Sequence, residues 1–109
     1  MKNLVVLGIV ILLIVGCYSI HGIDIANPYS ASVYTCLKNQ GNSFAIIRAL
    51  RSPGVLDTNA KQSLQYAKAA GLSTDIYIFP CRGKSPTSQV NDVISDISSA
   101  SYSTIWIDV

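Results

Sequence analysis

Two aspartates stand where charge-stabilising or acid–base chemistry could be done. Asp24 lies near the end of the apolar run Ile20-His-Gly-Ile-Asp-Ile-Ala26, and Asp108 lies in the last run, Thr104-Ile-Trp-Ile-Asp-Val109. Side chains alternate along a strand, so if Ile23 and Ile25 turn toward covering helices, Gly22 and Asp24 turn to the other face. An unpaired carboxylate is costly in an apolar interior, so Asp24 needs hydrogen-bond partners or a place where a polar ligand enters. The competing reading is a structural, turn-forming aspartate. By the same alternation Trp106 and Asp108 share one face of the last run, and Tyr77 and Phe79 share the corresponding face of Asp75–Phe79. These aromatics are either core or a wall of the sort that packs the faces of sugar rings.

The elements that must position these residues follow from periodicity. After the first strand, Asn27-Pro28-Tyr29 is a turn, and Ser30 caps a helix over Ala31–Gln40 with Val33, Cys36 and Leu37 on one face; Gly41 suits the left-handed position that ends it. Ser43–Leu50 is a second buried strand, broken by Arg51-Ser-Pro-Gly54. Asp57 or Thr58 then caps a helix that turns Ala60, Leu64, Ala67 and Ala70 inward and leaves Lys61 and Lys68 in solvent. The third strand, Asp75–Phe79, stops at Pro80. Ser85-Pro86 opens a third helix, with Val90, Val93, Ile94 and Ile97 as its apolar stripe and Asp92 and Asp96 outside it; Thr104–Val109 is a fourth strand. Strands alternating with amphipathic helices mean right-handed βαβ units in an α/β fold with parallel strands. Four of them make either a small open sheet or the N-terminal half of a (β/α) TIM-like barrel, and the run with no closing turn at Val109 favours the front part of something larger. In such barrels catalytic groups sit at the carboxyl ends of strands, the positions of Asp24 and Asp108.

Composition narrows the class. Lys2 followed by the apolar run Leu4–Gly16 and then small residues reads as a secretory signal peptide over residues 1–19, leaving one domain at residues 20–109. The run is shorter than the roughly 20 apolar residues that span a bilayer. A rival is Ile14-Val-Gly-Cys17, similar to a bacterial lipobox, which would place a lipid on Cys17. A net charge of +2 with no basic run and no interleaved aromatic patch argues against a nucleic-acid partner. Past the leader the only cysteines are Cys36 and Cys81. In an exported chain they are expected to pair, because no nearby His or Cys completes a zinc set; closing that loop would contribute about 4 kcal/mol.

Four segments in order resemble the lysozymes of glycoside hydrolase family 25, in particular the disulfide-bearing branch of invertebrates and protists. Gly22-Ile-Asp-Ile25 is similar to the family's opening Gly-Ile-Asp-Val strand, Phe44–Ala49 to its second strand, and Tyr77-Ile-Phe-Pro-Cys81 to that branch's third. Trp106-Ile-Asp-Val109 resembles the start of the Asp-x-Glu motif on strand four. The resemblance implies a muramidase that cleaves the β-1,4 bond between N-acetylmuramic acid and N-acetylglucosamine in peptidoglycan, with no metal or organic cofactor. It also implies export, to the outside or to the lumen of a secretory or lysosomal compartment, with no lasting membrane partner once the leader is removed. In the family the strand-four glutamate is the general acid, the aspartate two residues before it, here Asp108, steadies the substrate's 2-acetamido group, and Asp24 holds the charge and hydrogen bonds of the site. There are two departures. All six acidic residues here are aspartates, so the acid glutamate is missing from residues 1–109, and Leu50-Arg51-Ser52 stands where many members carry an acidic residue. The 109 residues are therefore expected to be an incomplete, inactive part of the enzyme. The alternatives are a non-catalytic glycan-binding short form and a lipid-anchored α/β binding module.

Overall fold

A computed structural model describes residues 16–109, so most of the leader expected over residues 1–19 lies outside the described residues. Among the described residues no helix is long and apolar enough to cross a membrane. The chain runs β1 (His21–Ile25), α1 (Ala31–Asn39), β2 (Asn42–Arg51), β3 (Val55–Leu56), α2 (Ala60–Ala69), β4 (Ser73–Ile78), α3 (Pro86–Asp96) and β5 (Ile105–Ile107), with a 3₁₀ turn at Ser99–Ser101 before the last strand. Strands β1, β2, β4 and β5 lie side by side in that order, all parallel. Each crossover therefore steps the same way across the sheet, and right-handed crossovers then put all three helices on one face. The expected α/β class with parallel strands in one sheet is observed. The two-residue β3 was not expected: the Arg51–Gly54 turn, closed by the Gly54 N–H on the Arg51 carbonyl at 2.8 Å, returns the chain antiparallel along β2.

The helix-covered face is the core. Ile25 of β1, Ala45, Ile47 and Ala49 of β2, and Ile76 and Ile78 of β4 are buried there against Leu64 and Ala67 of α2 and Val93 and Ile97 at the end of α3. Strand alternation thus sends Ile23 and Ile25 of β1 to one side and Gly22 and Asp24 to the other, as the pattern predicts. Gly22 has a packing reason. It pairs directly with Phe44 on β2, and a side chain at position 22 would run into the Phe44 ring. The missing side chain lets the ring lie over β1. The ring that must give way is the outer end of a half-buried side chain, so Gly22→Ala is expected to destabilise the fold by about 1 kcal/mol or less, read as a lower denaturant midpoint with an unchanged slope.

Helix phase differs from expectation in two places. In α1 the fully buried residue is Tyr34, with Leu37 beside the core and Val33 half-buried, and Cys36 is rotated out to solvent. In α3, Gln89 is buried and Ile94 is about half exposed. The first shift decides the cysteines. Cys36 rides the outer face of α1, which packs on β2 and α2, whereas Cys81 follows β4, on the other side of β2 in the sheet order. The expected Cys36–Cys81 disulfide is not formed, and both thiols are free. Ser30 stands at the N-cap of α1 as expected but makes no capping bond, its hydroxyl being bonded to that of Ser32; the N-cap position of α2 falls at Asn59, which makes no side-chain capping bond, while the Asn59 N–H is taken by Asp57 Oδ1. Ser85 does cap α3, accepting the Ser88 N–H, with Pro86 as the first helical residue. Gly41 takes the left-handed conformation expected after α1, at φ +96°.

Candidate active site

Asp24, Tyr77 and Trp106 come from three strands and meet on the helix-free face of the sheet. Asp24 pairs across β1–β2 with Ile46, and Tyr77 pairs across β4–β5 with Trp106. Together with Ile107 and Asp108 they line one open cleft of about 270 Å³. Asp24 is the penultimate residue of β1, and Asp108 directly follows β5, where its N–H still donates to the Ile78 carbonyl at 3.0 Å. Both carboxylates therefore stand toward the carboxyl ends of parallel strands, and both are solvent-exposed. Trp106 is 52% exposed, so the wall presents ring surface to whatever enters. Phe79 is not among the residues that line the cleft: strand β4 ends at Ile78, and Phe79, just past that end, is exposed.

The two carboxylates act on one phenol. The Tyr77 pKa is raised above its usual 10 first by burial and then by the charge of Asp24, with Asp108 and Asp57 adding to the rise and Arg48 opposing it. The folded protein thus holds this proton more tightly than the unfolded chain. The stability from this group is complete below pH 10 and is lost as pH rises through the folded pKa. Asp24→Asn and Asp108→Asn are each expected to bring the Tyr77 pKa down toward 10. Tyrosinate absorbance against pH, with Tyr77→Phe subtracted, measures it; a pKa unmoved by both variants would contradict the geometry.

A family model described as Lysozyme-like protein 1 matches residues 17–109. Lysozyme-like protein 5 of Caenorhabditis elegans is 41% identical over 95 residues, covering 82% of this chain and 44% of the relative. Probable GH family 25 lysozyme 2 of Dictyostelium discoideum is 35% identical over 99 residues, covering 84% of this chain and 45% of the relative. The chain belongs to the family 25 lysozymes. It spans less than half the length of these relatives.

Two polar arrangements in this family 25 chain escaped the pattern of its sequence. Arg48, on the open face of β2, donates through Nε to Asp57 Oδ2 at 2.9 Å and through its terminal nitrogen to the Ala26 carbonyl at 2.9 Å. Asp57 is 4% exposed and also accepts the Asn59 N–H on Oδ1 at 3.1 Å. This pair ties the chain leaving β1, two residues after Asp24, to the start of α2. The available signal was an arginine inside an otherwise apolar strand, which needs a partner. The second is Gln89, 2% exposed, whose side-chain oxygen accepts the Cys81 N–H at 2.7 Å while its amide nitrogen donates to the Cys81 carbonyl at 3.0 Å. It braces the 81–85 loop beside an apolar pocket of about 340 Å³ that includes Ile78, Val90 and Ile107. That pocket contains neither Asp24 nor Asp108.

Proposed function

We propose that this chain forms the β1–β5 portion of an exported N-acetylmuramidase, in which the sheet is the N-terminal half of a (β/α) barrel and the open cleft receives peptidoglycan glycan. The observation that carries the reading is the convergence of Asp24, Tyr77, Trp106 and Asp108 in one cleft at the carboxyl ends of parallel strands. Tyr77 and Trp106 offer ring faces to the apolar faces of sugar rings, and the two carboxylates offer negative charge beside the anomeric carbon, where positive charge develops as a glycosidic bond breaks. Asp108 orients and stabilises the 2-acetamido group as it attacks that carbon; Asp24 holds the negative field and keeps the acid's proton on by like-charge repulsion. Protonation of the departing oxygen needs a carboxylic acid, which the family supplies from a glutamate two residues after the Asp108 position. Residues 1–109 carry no glutamate. That absence favours a second reading for these residues alone, namely glycan binding without turnover. On this reading the leader over residues 1–19 directs the chain out of the cell or into a secretory or lysosomal lumen.

The experiment compares residues 20–109 with a chain of the relatives' length, measuring new reducing ends released from purified peptidoglycan. Release by the longer chain alone is the expected result. Release by neither, with the longer chain folded, would remove the muramidase assignment. Release by residues 20–109 would show that the glutamate is dispensable.

A further inference from the structure

We propose that Asp75 is a positioning residue of the cleft: its carboxylate sets the indole plane of Trp106 and anchors the entry to β5, so that the aromatic wall is oriented before a glycan arrives. The proposal rests on the reading that the cleft takes glycan. Asp75 Oδ2 accepts the Trp106 indole N–H at 2.9 Å, and Oδ1 accepts the Thr104 backbone N–H at 3.0 Å. The two bonds do different work. The one to Thr104 fastens the chain just before β5, a three-residue strand whose ladder among the described residues is to β4. The one to Trp106 selects a single rotamer for a side chain that is half exposed and that packing leaves partly free.

A carboxylate is acceptor-only, so its two oxygens take two N–H donors at once, and charge shortens and strengthens both bonds. An asparagine in its place can accept only one, since its amide nitrogen would face the other donor. Asp75 stands two residues before Tyr77 on β4, and Trp106 is the cross-strand partner of Tyr77, so the carboxylate lies on the cleft's face of the sheet. Yet Asp75 is not among the residues lining the cleft. It holds the wall without competing for the sugar. Stacking on a sugar face depends on the plane of the ring, and an indole already held in that plane loses less freedom on binding.

Trp106 is the only tryptophan in the chain, so one indole N–H signal reports the contact directly. Indole hydrogen exchange, chitooligosaccharide affinity and thermal melting are measured on wild type, Asp75→Ala, Asp75→Asn, and Asp92→Asn, an exposed α3 aspartate, as control. Asp75→Ala should speed indole exchange by about tenfold or more and weaken oligosaccharide binding by about five- to tenfold. Asp75→Asn should fall between, and Asp92→Asn should change neither. In a Trp106→Ala background, Asp75→Ala should cost no further affinity. Should Asp75→Ala fail to fold, Asp75→Asn, which keeps one acceptor, carries the same comparison. Unchanged indole exchange in a folded variant overturns the contact. Faster exchange with unchanged affinity, or an equal affinity loss in the Trp106→Ala background, overturns the positioning role. A wild-type chain that binds no oligosaccharide defeats the glycan reading and this role with it, and that failure is distinguishable because the indole exchange is read without ligand.

Discussion

Asp108→Asn, made in a chain of the relatives' length, is expected to lower kcat for peptidoglycan hydrolysis by about 100-fold or more and to leave KM within about threefold. The substitution keeps the size of the side chain and the backbone bond from Asp108 to the Ile78 carbonyl, and removes only a charge. Asp108 is exposed in the open cleft, where water screens it. A glycan seated on Tyr77 and Trp106 would displace that water. Two unit charges about 4 Å apart interact by about 1 kcal/mol in water and about 4 kcal/mol at the effective dielectric of a protein site. The difference of about 3 kcal/mol is a factor of between about 100 and 200 in rate, and it is realised only once positive charge develops on the sugar. The loss should therefore fall on kcat. Asp24→Asn should cost less, about tenfold, because its proposed role is to shape the field and not to touch the reacting group. Steady-state kinetics on soluble peptidoglycan fragments decide the matter, and an Asp108→Asn enzyme with near wild-type kcat would move the reaction to other groups.

Arg48→Met is expected to destabilise the fold by about 3–5 kcal/mol, a large share of the 5–15 kcal/mol typical of a domain. Methionine can replace the stem of Arg48 but neither of its hydrogen bonds. Asp57, 4% exposed, would keep its charge with only the Asn59 N–H to answer it, and the Ala26 carbonyl would lose its donor. An exposed pair behaves differently. Lys61 and Asp96 lie 2.7 Å apart with the lysine 58% exposed, and breaking that pair should cost under about 1 kcal/mol. The double variant Arg48→Met with Asp57→Asn should recover more than half of the loss, since no buried charge is then left alone. Urea denaturation of wild type, Arg48→Met, the double variant and Lys61→Met tests this. A single-variant loss below about 1 kcal/mol would mean that water reaches Asp57 and that the pair is not what holds β1 to α2.

Much of the fold was legible because its signals are local. The alternation of Ile23 and Ile25 with Gly22 and Asp24 depends only on the pleat, and the 3-4 spacing of Ala60, Leu64 and Ala67 only on helical pitch. The helix phase of α1 was misjudged for the same reason. Val33, Cys36 and Leu37 form as good a stripe on paper as one built on Tyr34 and Leu37, and only the depth of the space between α1, α2 and the sheet, which takes a whole tyrosine, selects the second. With that choice Cys36 faced solvent and its expected bond to Cys81 was lost.

Residue order by itself therefore determined the succession of the four parallel strands and three helices, the face that carries Asp24, and the family, because each is written in patterns a few residues long. What only the tertiary structure decided are the contacts across strands. Arg48 finds Asp57 nine residues away, after the unforeseen β3 turn, and the Trp106 indole finds Asp75 thirty-one residues away through the β4–β5 register. Phe79 lies outside the cleft, just past the end of β4. Such partners are set by how neighbouring strands slide against one another, a choice made by the packing of the whole core and not readable from either strand alone.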